Sequence, residues 1–294
     1  MNELTDIRAI RALLERHGFR FSRSMGQNFL VRSWVPEKIA ESAGIDRETG
    51  VLEIGPGIGC LTKQLADRAG KVLSVELDRS LEPVLEETLS GCGNVEILFG
   101  DVLRQDLRAL AAERLAGRRP VVCANLPDNI TSPVISALLK AGCFESLTLM
   151  VQKEPARRIC ASAGEADYSA FSIFVQWHAA ASLLFDVPAD CFLPQPKVTS
   201  SVIRLERRAQ PPCPVAGEEL LFRVVRAAFA QRRKTLVNAL AASFGELNKQ
   251  ELAECVAACG AEEKVRGEEL SIREYCLISD EISQRIRLFK REKG

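Results

Sequence analysis

The stretch Val51-Leu-Glu-Ile-Gly55-Pro-Gly57-Ile-Gly59 drives an apolar run into three glycines at alternate positions, after which Leu61, Leu65 and Ala66 fall at helical spacing. Glycine at such a strand-to-helix junction lets the chain turn tightly and lets a ligand approach the backbone. The G-x-G-x-G spacing departs from the G-x-G-x-x-G of dinucleotide sites, which favours S-adenosylmethionine over NAD. Glu76 ends the next apolar run, 17 residues beyond Gly59. A carboxylate there can accept both hydroxyls of a ribose; a solvated strand end is the plain alternative. Gly100-Asp101 ends a third run, where Asp101 can accept a hydrogen bond from an adenine amino group. Three successive runs that each end in a polar residue suit the strand edge where open α/β sheets bind ligands.

Asn125-Leu-Pro127-Asp128 ends a fourth run. Methyl transfer to an exocyclic amine is slow because the nitrogen lone pair is delocalised into the purine ring. Acceptors on the two N–H bonds draw the amine toward tetrahedral geometry and stabilise the positive charge that develops. The Asn125 side-chain oxygen and the Pro127 carbonyl are two candidate acceptors, and an Asx-Pro turn with no such role is the alternative.

The elements that must carry these residues follow from the pattern. From Val51 to about Leu205, short apolar runs alternate with amphipathic stretches, the signature of an α/β fold with a parallel sheet. Strands are predicted at Val51–Ile54, Lys71–Glu76, Val95–Gly100, Val121–Asn125 and Leu147–Gln152, with Ser182–Val187 and Ser201–Leu205 closing the sheet as a late hairpin. Gln210-Pro-Pro-Cys-Pro then breaks the pattern. Beyond it Glu218–Phe244, Lys249–Cys259 and Ser271–Lys293 read as helices, the last with a Ser271/Glu274 capping box. The expected organisation is a Rossmann-like domain over 1–206, carrying an N-terminal basic helix, and a smaller all-α domain over 207–294.

The motifs together resemble the bacterial small-subunit rRNA adenine N6,N6-dimethyltransferases (KsgA/RsmA type). Matching strings are Gly26-Gln-Asn28-Phe-Leu30, the glycine motif, Glu76, Gly100-Asp101, Asn125-Leu-Pro127 and Met150-Val-Gln-Lys-Glu154. Further along come Phe192-Leu-Pro-Gln-Pro-Lys197-Val-Thr-Ser200, Phe229-Ala-Gln-Arg-Arg-Lys234 and Arg266-Gly-Glu-Glu-Leu-Ser-Ile-Arg-Glu-Tyr275, so the resemblance runs over residues 19 to 288. It implies a Rossmann-like methyltransferase that uses S-adenosylmethionine to dimethylate two adjacent adenines near the 3′ end of 16S rRNA, acting on the immature small subunit as a monomer. Position by position, it implies that Asn28 and Leu30 hold the methionine end of the cofactor. Gly55 and Gly57 admit that region along the backbone, Glu76 holds the ribose and Asp101 the adenine. Asn125 and Pro127 hold the target amine, and Phe192 faces the flipped base.

One position departs from that family, whose Asn-Leu-Pro is followed by an aromatic residue, where this chain has Asp128. Enzymes that modify a base hold it unstacked in a pocket, and aromatic stacking there is worth roughly 1–3 kcal/mol. A carboxylate against the purine adds desolvation cost instead. Either transfer is weakened, or stacking falls to Phe192 or another side chain. A weak or inactive small-subunit assembly factor and a macrolide-resistance type methyltransferase of the large subunit are the competing functions.

Lys plus Arg number 39 and Asp plus Glu number 39, so bulk charge does not hold nucleic acid. Locally the balance fails: Arg223, Arg226, Arg232, Arg233 and Lys234 lie in a stretch without acids, suited to phosphates, with 223, 226 and 233 on one helical face. Arg8, Arg11, Arg16, Arg20 and Arg23 form a second cluster. A solvated helix face and a frayed tail are the bland readings of the two. Ten cysteines include no Cys-x-x-Cys pair, and His17 and His178 are the only histidines, so no metal site is expected. Without an apolar leader or a membrane-length run, a reduced cytoplasmic protein is expected.

Overall fold

The structure is a computed structural model that describes residues 3–19, 27–262 and 264–292. In chain order the helices are α1 (Ile7–Arg16), α2 (Trp34–Ser42), α3 (Cys60–Arg68), α4 (Glu82–Thr88), α5 (Leu107–Arg114), α6 (Thr131–Ala141), α7 (Lys153–Cys160), α8 (Ala170–His178), α9 (Glu218–Ala230), α10 (Leu236–Ala241), α11 (Lys249–Ala258) and α12 (Ile272–Glu292). The strands are β1 (Phe29–Leu30), β2 (Thr49–Ile54), β3 (Lys71–Glu76), β4 (Val95–Phe99), β5 (Arg119–Asn125), β6 (Ser146–Gln152), β7 (Ala179–Val187), β8 (Phe192–Leu193) and β9 (Ser200–Arg207).

Among the described residues the main sheet has the order β4-β3-β2-β5-β6-β9-β7. The pairs β2–β3, β3–β4, β2–β5 and β5–β6 are parallel, and β9 runs antiparallel to β6. Strand β2 is buried along its whole length, as a central strand covered on both faces must be. The order reverses between β2 and β5, so Gly55 and Asn125 follow or end the two strands at the switch point, the usual ligand position in such sheets. Helix α3 and its neighbours supply Leu61, Leu65 and Ala66 to one core with Val51, Val72 and Val121.

The chain forms two compact units, Met1–Ala156 with Ala180–Arg207, and Arg157–Ala179 with Arg208–Gly294. A boundary at 206/207 therefore assigns Arg157–Ala179 to the wrong unit. The reason is packing: Tyr168, Ile173 and Trp177 share a core with Leu221, Val224 and Tyr275. The two late strands do lie side by side, but the chain between them carries β8, so they do not form a simple hairpin. Strand β8 pairs instead with β1 in a separate two-stranded ribbon.

The helix expected over Glu218–Phe244 is two helices. Gln231 leaves helical geometry at φ −134°, ψ 65°, and Thr235 starts α10 from an extended conformation. Arg232, Arg233 and Lys234 thus sit in the connecting turn, and the common helical face expected for 223, 226 and 233 does not exist. Helix α12 begins at its predicted cap: Glu274 accepts from the Ser271 N–H (2.7 Å) and the Ser271 hydroxyl from the Glu274 N–H (3.4 Å). Lys293, the predicted end of that helix, lies outside the described residues.

Candidate active site

The carboxyl ends of β2, β3, β5 and β6 and the loop after β4 converge on a cavity of about 230 Å³. Its lining includes Asn28, Gly55, Gly57, Glu76, Asp101, Asn125, Pro127, Asp128 and Phe192. Leu30 lines a smaller adjoining pocket with Asn28, Gly55, Gly57 and Asn125. Gly26 of the same motif lies outside the described residues.

Each strand end is fixed by its neighbour. Gly55 donates to the Val75 carbonyl (2.9 Å), Gly100 to the Glu76 carbonyl (2.8 Å) and Leu126 to the Met150 carbonyl (3.0 Å). Gly57 has φ +58°, and a Cβ there would lie 3.2 Å from two carbons of the Phe29 ring, so the loop admits only glycine without rearrangement. Phe29 reaches that position because β1 pairs with β8, in the register Phe29↔Leu193 and Leu30↔Phe192. The same ribbon brings Asn28, Leu30 and Phe192, far apart in sequence, to one end of the sheet.

Glu76 is 6% exposed, and its Oε1 accepts from the Asp78 N–H at 2.8 Å. Burial pushes its carboxyl above the usual range, opposed by the N–H groups of Asp78, Gly57 and Leu77. Its carboxylate thus ties the end of β3 to the glycine loop. Asp101 caps the turn after β4 by accepting from the Leu103 N–H (2.9 Å), and its other oxygen lies 3.5 Å from Arg104 Nε. Sequence reasoning passed over Gln27 and Asp78, which are joined by an amide-to-carboxylate bond of 2.7 Å beside the cavity.

The acceptor end is tied down within its own loop. The Pro127 carbonyl accepts from the Ile130 N–H (3.2 Å) and the Thr131 hydroxyl (3.1 Å). These two bonds anchor the carbonyl within the loop. Asp128 Oδ2 accepts from the Gln152 amide, so a side-chain bridge joins the ends of β5 and β6. Burial pushes the Asp128 carboxyl up, and the Gln152 amide opposes this. Phe192 lines the cavity but is only 5% exposed.

Glu53 was not singled out from the sequence. It is 1% exposed within β2; Oε2 accepts from the hydroxyls of Thr62 (2.8 Å) and Ser74 (2.5 Å), and Oε1 has no partner. Burial pushes its carboxyl up to about 7, with the two hydroxyls opposing and the charge of Glu76 adding to the rise. It lines the smaller pocket with Asn28 and Asn125. The signal in the sequence is a single acid among the apolar residues Val51, Leu52 and Ile54.

The five basic residues of the second unit are not equivalent. Arg223 makes a two-pronged pair with Glu246 (2.7 and 2.9 Å) and stacks 4.1 Å from the Phe244 ring centroid. Arg232 donates to the carbonyls of Ala166 (3.0 Å) and Tyr168 (3.1 Å). Arg226, Arg233 and Lys234 are exposed. In the first unit Arg16 and His17 both bind Glu87, Arg8 and Arg11 are exposed, and Arg20 and Arg23 lie outside the described residues. The ten cysteines are all free thiols. Among the described residues no cluster of His, Cys, Asp or Glu could hold a metal, and no helix is long and apolar enough to cross a membrane.

Comparison with known proteins gives a consistent picture. The family model described as "Ribosomal RNA adenine dimethylase" matches residues 18–284. The chain is 41% identical to a "Ribosomal RNA small subunit methyltransferase A" of Alkaliphilus oremlandii, over 97% of this chain and 100% of that protein. It is 45% identical to the protein of that name from Listeria monocytogenes, over 91% and 92%. Among solved structures it resembles the 23S rRNA methyltransferase ErmE, with a TM-score of 0.69 and 26% identity over 87% of this chain and all of the other. A dimethyladenosine transferase from Plasmodium falciparum shares the fold, with a TM-score of 0.73 and 24% identity over 87% and 98%.

Proposed function

The chain belongs to the ribosomal RNA adenine dimethylase family, and from that premise we propose that it N6,N6-dimethylates two adjacent adenines near the 3′ end of 16S rRNA in the immature small subunit. The class of enzyme, a methyltransferase acting on rRNA with an S-adenosylmethionine-type methyl donor, goes with the family. The observation that carries the finer reading is the meeting of Glu76, Asp101 and Asn125, each at or just past the end of a different parallel strand, around one cavity.

S-adenosylmethionine, when bound, supplies the methyl group. The residues present fit it: a loop where a Cβ at Gly57 would strike Phe29, and a buried Glu53 oxygen without a partner beside the same glycines. Glu76 would accept the ribose hydroxyls and Asp101 the adenine amine. Asn28 and Leu30 would hold the methionine end, with Gly55 and Gly57 admitting it along the backbone. Asn125 would take one N–H of the target amine through its side-chain oxygen. Once methylated, the amine is acidic enough to lose its proton to water, so no general base is assigned. Arg226, Arg233 and Lys234 are the exposed cations available to rRNA phosphates.

Asp128 stands where the family stacks an aromatic ring, and we expect donor binding to survive while transfer is slowed. Stacking of roughly 1–3 kcal/mol corresponds to about 5- to 150-fold in rate. The test is donor calorimetry and methylation of unmodified small subunits, comparing the chain with Asp128→Tyr. Equal donor affinity with faster turnover by the variant supports this reading, and equal turnover refutes it. Subunit binding with no turnover by either protein would instead favour the assembly factor. Primer extension on both rRNAs separates the small-subunit substrate from a large-subunit one.

A further inference from the structure

Asn28 stands between two ties. On its C-terminal side β1 pairs with β8 over only two residues, Phe29↔Leu193 and Leu30↔Phe192. On its N-terminal side Gln27, which lines the large cavity, donates its amide to Asp78 Oδ2 at 2.7 Å. Asp78 is itself fixed from two directions. Its Oδ1 accepts from the Ser80 N–H (3.0 Å) and the Ser80 hydroxyl (2.6 Å), and its own N–H donates to Glu76 Oε1 (2.8 Å). Partial burial works against its charge, but the Ser80 hydroxyl and the Gln27 amide outweigh this and hold its carboxyl below the usual range. Asp78 thus links the segment that carries Asn28 to the carboxylate of Glu76, the two residues assigned above to opposite ends of the donor.

We propose that Gln27 and Asp78 are positioning residues for the methyl donor: their bond holds the Asn28 segment against the end of β3, so that the amino-acid end and the ribose of the donor are gripped by one preformed wall. The inference rests on the reading of the cavity as the donor site. A segment held on one side by a two-residue ladder samples other positions, and a ligand that must order it loses part of its binding energy to that ordering. A tie made before binding removes that cost. Losing a hydrogen bond to a charged acceptor at part-buried positions corresponds to about tenfold in affinity. The loss falls on the part of the donor that Asn28 holds. The ribose end is spared, because the Glu76 carboxylate keeps its own bonds from the N–H groups of Asp78, Gly57 and Leu77.

The experiment is calorimetry with two probes, S-adenosylmethionine and 5′-methylthioadenosine, which lacks the amino-acid end. The chain as given is compared with Gln27→Ala, with Gln27→Glu, and with Gln27→Glu and Asp78→Asn combined. Alanine removes the tie, and glutamate sets one carboxylate against another. The double variant restores an amide-to-carboxylate bond with the roles exchanged and the net charge unchanged, because the new amide at 78 can keep its oxygen on Ser80 and turn its nitrogen to the new carboxylate. Expected is a fall of about tenfold in S-adenosylmethionine affinity for Gln27→Ala, a larger fall for Gln27→Glu, and recovery to within about threefold in the double variant. Affinity for 5′-methylthioadenosine should stay within about threefold throughout. Thermal denaturation without ligand separates a folding defect from a donor effect; should Gln27→Glu unfold through repulsion, Gln27→Ala and the double variant decide. Unchanged affinity in Gln27→Ala, a double variant no tighter than Gln27→Ala, or an equal loss for both probes overturns the inference while leaving the donor site intact. No binding of S-adenosylmethionine by the chain as given overturns the donor-site reading and the inference together.

Discussion

Replacing Glu53 by Gln should abolish a pH dependence of stability that the chain otherwise carries. The side chain lies in the central strand, 1% exposed, with Oε2 satisfied by Thr62 and Ser74 and Oε1 by nothing. Burial, reinforced by the nearby charge of Glu76, raises its pKa from 4.5 to about 7 against the pull of the two hydroxyls. A pKa raised in the folded state means that the folded chain keeps a proton the unfolded chain has released. The stability contributed by the neutral form is therefore fully present below about 4.5 and is lost as pH rises through about 7. At 1.36 kcal/mol per pH unit, the gap between those two values amounts to about 3 kcal/mol. Gln presents a neutral group of the same size at every pH, so the difference between the two proteins should grow by that amount from about pH 5 to about pH 8. Urea titrations across that range measure it. In a Trp177→Phe background the remaining tryptophan, Trp34, reports the first unit alone. A difference that stays flat with pH would mean that Glu53 titrates at its ordinary value, and the argument from burial would be wrong.

Gly57→Ala should weaken donor binding by about tenfold or more, because a residue with a side chain pays roughly 1–2 kcal/mol in the left-handed region besides meeting the Phe29 ring; calorimetry measures the affinity, and circular dichroism should be unchanged. Charge reversal of Arg233 and Lys234 together should weaken small-subunit binding, reduce the slope of log affinity against log salt by about 2 and leave donor affinity intact; an equal fall in donor affinity would point to a structural role. Arg232→Ala should behave differently from its neighbours, destabilising the second unit by about 1 kcal/mol in thermal denaturation, chiefly through the part-buried Tyr168 carbonyl it leaves without a donor, with subunit affinity preserved while the unit is folded.

What could be read from the sequence was whatever a strand or its end carries. Glu76, Asp101 and Asn125 were legible because each closes an apolar run, and parallel pairing then brings the closures to one edge. Asn28, Leu30 and Phe192 were legible only through resemblance, since a two-residue ladder between distant segments joins them. Glu53 was hidden because its partners come from α3 and β3, and no local pattern announces a hydroxyl pair around an acid. The basic cluster was misread because projecting 223, 226 and 233 onto one helix presumes that the helix continues past Gln231. Arg223, one of the three in that projection, and Arg232, which is not in it, spend their donors on Glu246 and on the carbonyls of Ala166 and Tyr168.

The two halves of the site are held by different means, and this bears on what a substitution can reach. At the donor half, Gly55 and Gly100 are locked by backbone hydrogen bonds to the neighbouring strand ends, and Glu76 accepts from backbone N–H groups. Such bonds do not depend on which side chains occupy the loop after β5. At the acceptor half, backbone bonds to Met150 and from Ile130 hold Leu126 and Pro127, and side chains are added to them, the Thr131 hydroxyl at Pro127 and the Gln152 amide at Asp128. A change of residue there alters which groups face the amine without moving the glycine loop. An acid can therefore replace a ring at position 128 and leave the donor's cradle as it was. Its consequences should then appear in the rate of transfer and not in donor affinity.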